Sequence, residues 1–204
     1  MIDFDVFMPL IRPRAQGVPD PIAVNAIRQA AIEFCIRTKL WRSTDTFYAT
    51  NIDDIVVPNE SELIEVTDAR FDGVALEPIS FDEMNRRFPS IDWQNMTGDN
   101  PQYFTQIDIG TIKFVPTCEG YVELSLLLKP SYTAKQLPDF LVQHKQTIAD
   151  GALAEILTIP NQTYTNADLA MFHSGRFNAQ LDRLSSMGIN GQLRAPIRSK
   201  SSFF

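Results

Sequence analysis

Apolar residues recur along this chain first with a helical period, then with a period of two, then with a helical period again. Residues 20 to 42 read DPIAVNAIRQAAIEFCIRTKLWR. At about 100° per residue, one wide stripe of that segment collects Ala23, Val24, Ile27, Ala30, Ala31, Phe34, Cys35 and Trp41, as a helix turned toward its own core requires. A second apolar set, Ile22, Ile32, Ile36 and Leu40, gathers on the opposite side. Arg28, Glu33, Arg37 and Lys39 are confined to the seams between the two sets. A surface helix has one apolar face, so this one asks for a second cover. Asp20 stands where a carboxylate accepts from free amides, Pro21 suits the first helical turn, and the helix is expected to end near Arg42.

From residue 45 the pattern changes. ELIEVTDARFDGVALEPIS, residues 62 to 80, alternates in part, and its Asp72-Gly73 pair is a signal for a hairpin or tight bend. Ser80 and Glu83 have capping-box spacing for a short helix stopped by Pro89. Residues 93 to 101 read as loop. Three further strands are expected, separated by Gly110 and Gly120; Val122, Leu124, Leu126 and Leu128 alternate with polar partners, the mark of a strand with one buried face.

Helical spacing returns at Leu137, with Leu141, Ile148, Ala152 and Ile156 on one stripe closed by Pro160. Small residues at 149, 151, 152 and 154 would let helices approach closely. Thr165 and Asp168 give a second capping-box signal for a helix running to Gly188, and the remaining residues lack periodicity. The sequence therefore predicts an α+β fold. A helical bundle is built from residues 1–44 and 137–188, an antiparallel β-rich block of residues 45–136 is inserted into it, and residues 189–204 form an extended C-terminal tail.

Charge sharpens this division. Residues 45–100 hold three Lys/Arg against thirteen Asp/Glu, whereas residues 171–204 hold five against one. An acidic middle and a basic end speak of partners rather than fold. The longest apolar cluster, residues 124–128, is far below the ~20 residues of a membrane-spanning helix, and no secretion signal is read at the start. Cys35 and Cys118 have no metal or redox spacing, so both are expected to be reduced and structural, in keeping with synthesis in a reducing cytoplasm.

Chemistry-bearing residues are sparse. His173 falls inside the stripe of Leu169, Phe177, Leu181 and Leu184, where a histidine is a hydrogen-bonded core residue, and His144 borders the stripe of its own helix. Asp53-Asp54 and Asp82-Glu83 are acid/base candidates in principle, although adjacent carboxylates at turns and helix starts are ordinarily solvated or capping groups. No phosphate, dinucleotide, zinc or serine-hydrolase motif occurs, so no cofactor or metal is expected. Three functional classes follow: a noncatalytic structural component, a monomeric α+β binding module, and an acid/base hydrolase using the acidic block.

Three phrases, in this order, carry a resemblance. They are a helix ending in Arg37-Thr38 and Trp41-Arg42, a GTIKFVP strand at residues 110–116, and LPDFL followed by IADGAL at residues 137–153. Together they resemble the head-to-tail adaptor (connector) proteins of tailed bacteriophages, particularly the short-tailed group. Residues 45–100 match that pattern poorly, and Tyr164 stands where it has Trp.

The resemblance implies a noncatalytic virion protein made in the host cytoplasm. It would form a dodecameric ring that joins the portal protein to the tail nozzle or tail tube, with DNA passing through without specific binding. In such a head-to-tail ring Ile22, Ile32, Ile36 and Leu40 would face the next subunit; cover from the inserted block is the alternative. The resemblance also implies a portal hook at the C-terminus. Its aromatic end, Phe203-Phe204, would fill a pocket and Arg194, Arg198 and Lys200 would meet acidic portal surface, the segment ordering only on docking.

Overall fold

A computed structural model describes residues 1–50, 52–108 and 110–190. In chain order the elements are α1 (Met8–Ile11), α2 (Asp20–Thr38), β1 (Arg42–Ala49), β2 (Ile52–Asp54), β3 (Ser61–Phe71), β4 (Val74–Ala75) and β5 (Glu77–Pro78). There follow α3 (Phe81–Arg87), β6 (Tyr103–Asp108), β7 (Thr111–Val115), β8 (Gly120–Pro130), α4 (Lys145–Ile156) and α5 (Ala167–Asn190). The fold is α+β, with two compact units: Met1–Trp41 joined by the chain from Lys129 onward, and Arg42–Leu128.

In the helical unit α2, α4 and α5 pack around one apolar core. Ala23, Ile27, Ala30 and Phe34 enter it from α2, Ile148, Ala152 and Ile156 from α4, and Phe177, Leu181 and Leu184 from α5, with Phe7 and Ile11 closing one side. Each large side chain so buried contributes roughly 1.5–3 kcal/mol. The stripe expected in α4 is buried, and so is most of the one expected in α2, although Val24 is half-buried and Trp41 falls beyond the end of the helix. Close approach rests on Gly151, where an added Cβ would lie 2.9 Å from Ala30 Cβ and 3.0 Å from the Phe177 ring.

The helix boundaries depart from expectation for identifiable reasons. Pro19, not Asp20, occupies the N-cap of α2, and the Asp20 carboxylate instead pairs with Arg12 at 3.0 Å. At the other end α2 stops at Thr38, with Lys39 in the left-handed region (φ 52) and its N–H bonded to the Cys35 carbonyl. Arg42 is taken into β1 opposite Leu127, a long-range pairing that local period cannot announce. The segment from Asp139 to His144 is a 3-10 turn before α4 proper begins.

At α5 the cap is Asn166, whose Oδ1 accepts from the Leu169 N–H at 3.0 Å. Thr165, the expected cap, donates its hydroxyl to the Ile159 carbonyl and accepts from the Gln162 N–H. Helix α5 runs through Asn190, two residues beyond its expected end.

The other unit holds two four-stranded sheets, ordered β1-β8-β3-β4 and β2-β7-β6-β5. Pairing is antiparallel wherever long strands have a register, while the two-residue β5 runs parallel to β6. Phe71 pairs with Val74 around Asp72-Gly73, both at positive φ (46 and 83), so this two-residue turn takes the geometry a twisted hairpin favours. Gly110 turns β6 into β7, again at positive φ. Ser80 Oγ accepts from the Glu83 N–H at 3.3 Å to start α3, as its spacing predicts. Val122, Leu124, Leu126 and Leu128 of β8 are all buried, and so is Leu127.

Candidate interaction surface

The catalytic candidates of the sequence lie on separate elements. Asp53 and Asp54 lie in β2, and Asp54 is exposed. Asp82 and Glu83 occupy the first turn of α3, where negative charge suits the positive end of the helix, and Glu83 also pairs with Arg86 at 3.0 Å. His144 sits at the start of α4, half-buried, its ring 4.9 Å from that of Phe34; burial holds its pKa below the ordinary value.

His173 is a core residue hydrogen-bonded to Asp150 across 2.8 Å. Among the described residues no group of three or more His, Cys, Asp or Glu is arranged to hold a metal ion. Two shallow grooves mark the sheet unit. Hydroxyls dominate the one bounded by Thr44, Thr67 and Ser125; the other is bounded by Asn95, Thr97, Thr117 and Cys118. Cys118 lies in the loop between β7 and β8, and both cysteines are free.

Of the four residues expected to face a neighbouring subunit, Ile22 and Leu40 are half-buried against the helical core of their own chain, and Ile32 is 3% exposed. Only Ile36 remains open, at 41%. Much of the second face of α2 is therefore covered within the chain, which narrows the set that a neighbour could meet to Ile36 and the open parts of Ile22 and Leu40. Arg194, Arg198, Lys200, Phe203 and Phe204 lie outside the described residues.

Other apolar groups face outward. On α5, Met171 and Phe172 are 67% and 55% exposed, with the Arg176 guanidinium 5.6 Å from the Phe172 ring centroid. The signal for them was present in the sequence: both fall off the Ala170, His173, Phe177, Leu181 stripe that the bundle buries. On the first sheet Tyr48 and Tyr121 are directly opposed across β1 and β8, both exposed, with rings edge to face at 5.4 Å. On β1 exposed residues alternate with half-buried ones, and Thr44, Thr46 and Tyr48 continue across the sheet into Ser125, Glu123 and Tyr121.

A chain with open apolar and acidic surface is suited to contact other macromolecules. Comparison with protein families decides which. Residues 6–200 match the SU10 adaptor protein family. The chain belongs to this family of phage head-to-tail adaptors. The match spans the helical unit and the sheet unit alike, including residues 45–100, which resembled the adaptor pattern least. No curated protein matches the chain. As an SU10 adaptor protein, it is assigned a general adaptor role in the virion.

Proposed function

We propose that this adaptor forms a ring of twelve copies that docks beneath the portal, joins it to the tail nozzle or tail tube, and lines part of the DNA exit channel without catalysing a reaction. The family match over residues 6–200 carries this reading. Two features of the chain support it. Ile36 stays open on a helix whose other face is fully engaged in the bundle, as a subunit needs if it has a neighbour as well as a core. Residues 42–128 hold five Lys/Arg against sixteen Asp/Glu, a net of −11, and a channel wall of that sign does not retain passing phosphates.

The test is genetic and biochemical. A phage whose copy of this protein is inactivated should build DNA-filled heads that carry no tail, and purified protein added to those heads should restore tail attachment. Tails joined to heads in the absence of the protein would refute the reading.

A further inference from the structure

Two exposed aromatic patches of this chain are bordered by opposite charge. On α5, Met171, Phe172, Gly175 and Ala179 are all exposed and lie close together on the side of the helix turned away from the bundle core. A Cβ at Gly175 would meet no described atom within 4 Å, so the surface between Phe172 and Ala179 is a depression open to solvent. Arg176 and Arg183, seven residues apart and so on one line of the helix, border the Phe172 side. Arg176 lies over the Phe172 ring and reaches Asp150 of α4 at 3.4 Å.

The second patch is the Tyr48–Tyr121 pair, whose exposed rings form a ridge on the β1–β8 ladder. Carboxylates surround it. Glu123 follows Tyr121 on the same face of β8, Glu119 immediately precedes the strand, and Asp72 accepts from the Tyr121 N–H at 3.4 Å; all three are exposed. We infer that these patches are the two halves of one contact between copies of this chain, the α5 face of one subunit seating the Tyr48–Tyr121 ridge of the next.

Charge and symmetry select this pairing over the others. Two tyrosine ridges facing each other would oppose two units of net charge −11. Two α5 faces would make a self-complementary contact, which closes as a dimer and leaves neither face for a third copy. The mixed pairing instead sets the acidic sheet unit against a helical unit with ten Lys/Arg and nine Asp/Glu in residues 1–41 and 129–190. Its two surfaces differ, as a head-to-tail contact requires.

The inference rests on the ring reading and gives that ring a contact in addition to the one at Ile36. Tyr48 and Tyr121 cover Met171 and Phe172, and Glu119 and Glu123 meet Arg176 and Arg183 at the border. Aromatic side chains and arginine carry most of the binding energy in interfaces of this composition, so the rings set the lifetime of the contact and the border charges set its rate of formation.

Two differently tagged full-length variants test the contact, both carrying Cys118→Ser so that the half-exposed thiol takes no part. One has Gly175→Cys and the other Thr46→Cys, which stands opposite Glu123; they are mixed with the portal and oxidised. The expected product is a disulfide-linked pair holding both tags. Phe172→Glu beside Gly175→Cys, or Ala179→Glu as a second variant, sets a carboxylate against the acidic ridge and should lower the yield about ten-fold, and Glu123→Lys in the Thr46→Cys partner should restore it. Thermal unfolding of each variant alone separates loss of fold from loss of contact. The inference is overturned by pairs of like tags only, by links from Gly175→Cys to the portal only, by no link at all, or by a yield that folded glutamate variants leave unchanged. The mass of the portal-bound assembly is read in parallel. Twelve copies on the portal without the link would leave the ring standing and remove this contact, whereas the link without a closed ring would do the reverse.

Discussion

His173 Nδ1 lies 2.8 Å from Asp150 Oδ1, with both side chains 1% exposed, so α5 and α4 share a polar contact inside an apolar bundle. Gln146 Nε2 donates to the same oxygen at 3.3 Å, and Arg176 reaches the other carboxylate oxygen at 3.4 Å from the surface. Burying polar groups is tolerable only while they satisfy one another. Asp150→Ala would leave the imidazole buried without its partner and should destabilise the fold by about 3 kcal/mol, measured by denaturant unfolding. The double variant Asp150→Leu with His173→Phe should cost less than the sum of the two single changes, because the carboxylate and the imidazole are then removed together. Additive losses would mean the pair is not coupled.

Gly151 is where α4 meets Ala30 of α2 and Phe177 of α5. Gly151→Ala improves helix propensity by about 1 kcal/mol, yet its methyl group would have to displace a backbone-borne Cβ at 2.9 Å and an aromatic ring at 3.0 Å. Overpacking of this kind costs about 1–3 kcal/mol, so the net change should be neutral to destabilising and Gly151→Val clearly worse. Thermal unfolding of the two variants checks the order; a stabilised Gly151→Val protein would show that the helices are free to separate.

How much of this was legible beforehand follows from the range of the interactions involved. The Asp72-Gly73 turn, the Ser80–Glu83 cap and the buried stripe of α4 depend on residues close in sequence, and all three appear as read, as does the α2 stripe from Ala23 to Cys35 apart from the half-buried Val24. Competition between neighbours hid Asn166 behind Thr165, since both can cap and only the tertiary path of the 159–165 loop decides that Thr165 bonds to Ile159. Long-range pairing took Arg42 out of α2 and into β1. The same limit applies to the second face of α2: period reveals that Ile32 and Ile36 point away from the main stripe, but nothing in the period says that Ile32 is buried and Ile36 is not.

Two partly desolvated groups, the half-buried His144 and the more exposed Glu155, give stability opposite pH dependences. Burial holds the His144 imidazole below its ordinary pKa of 6.5, so the unfolded chain takes up that proton more readily. Stability associated with the neutral ring is therefore full above pH 6.5 and is lost as pH falls from there through the lowered folded value. Burial raises the Glu155 carboxyl above its ordinary 4.5, so its charged form costs stability at neutral pH and that cost is relieved as pH falls through the raised value. His144→Gln should flatten the decline below pH 6.5, and Glu155→Gln should raise stability at pH 7. Unfolding curves between pH 5 and 8 read both signs.

The thiols should differ in reactivity. Burial pushes Cys35 up to about 12, and the side chain is fully enclosed in the helical core. Cys118 is half-exposed; its pKa is raised by burial and by the nearby Asp72 and Asp99 carboxylates. Since the thiolate is the nucleophile, an alkylating reagent at pH 8 should modify Cys118 slowly and Cys35 only after unfolding. Equal rates in the native protein would contradict the enclosure of Cys35.

Electron cryo-microscopy of the full-length protein mixed with the portal of its phage tests the ring reading most directly. The account predicts twelve adaptor subunits in a closed ring on one end of the portal, neighbouring subunits in contact near Ile36, and the acidic sheet units contributing to the wall of a central channel. Portals that remain bare at saturating protein, or that bind single copies without contact between them, would contradict it.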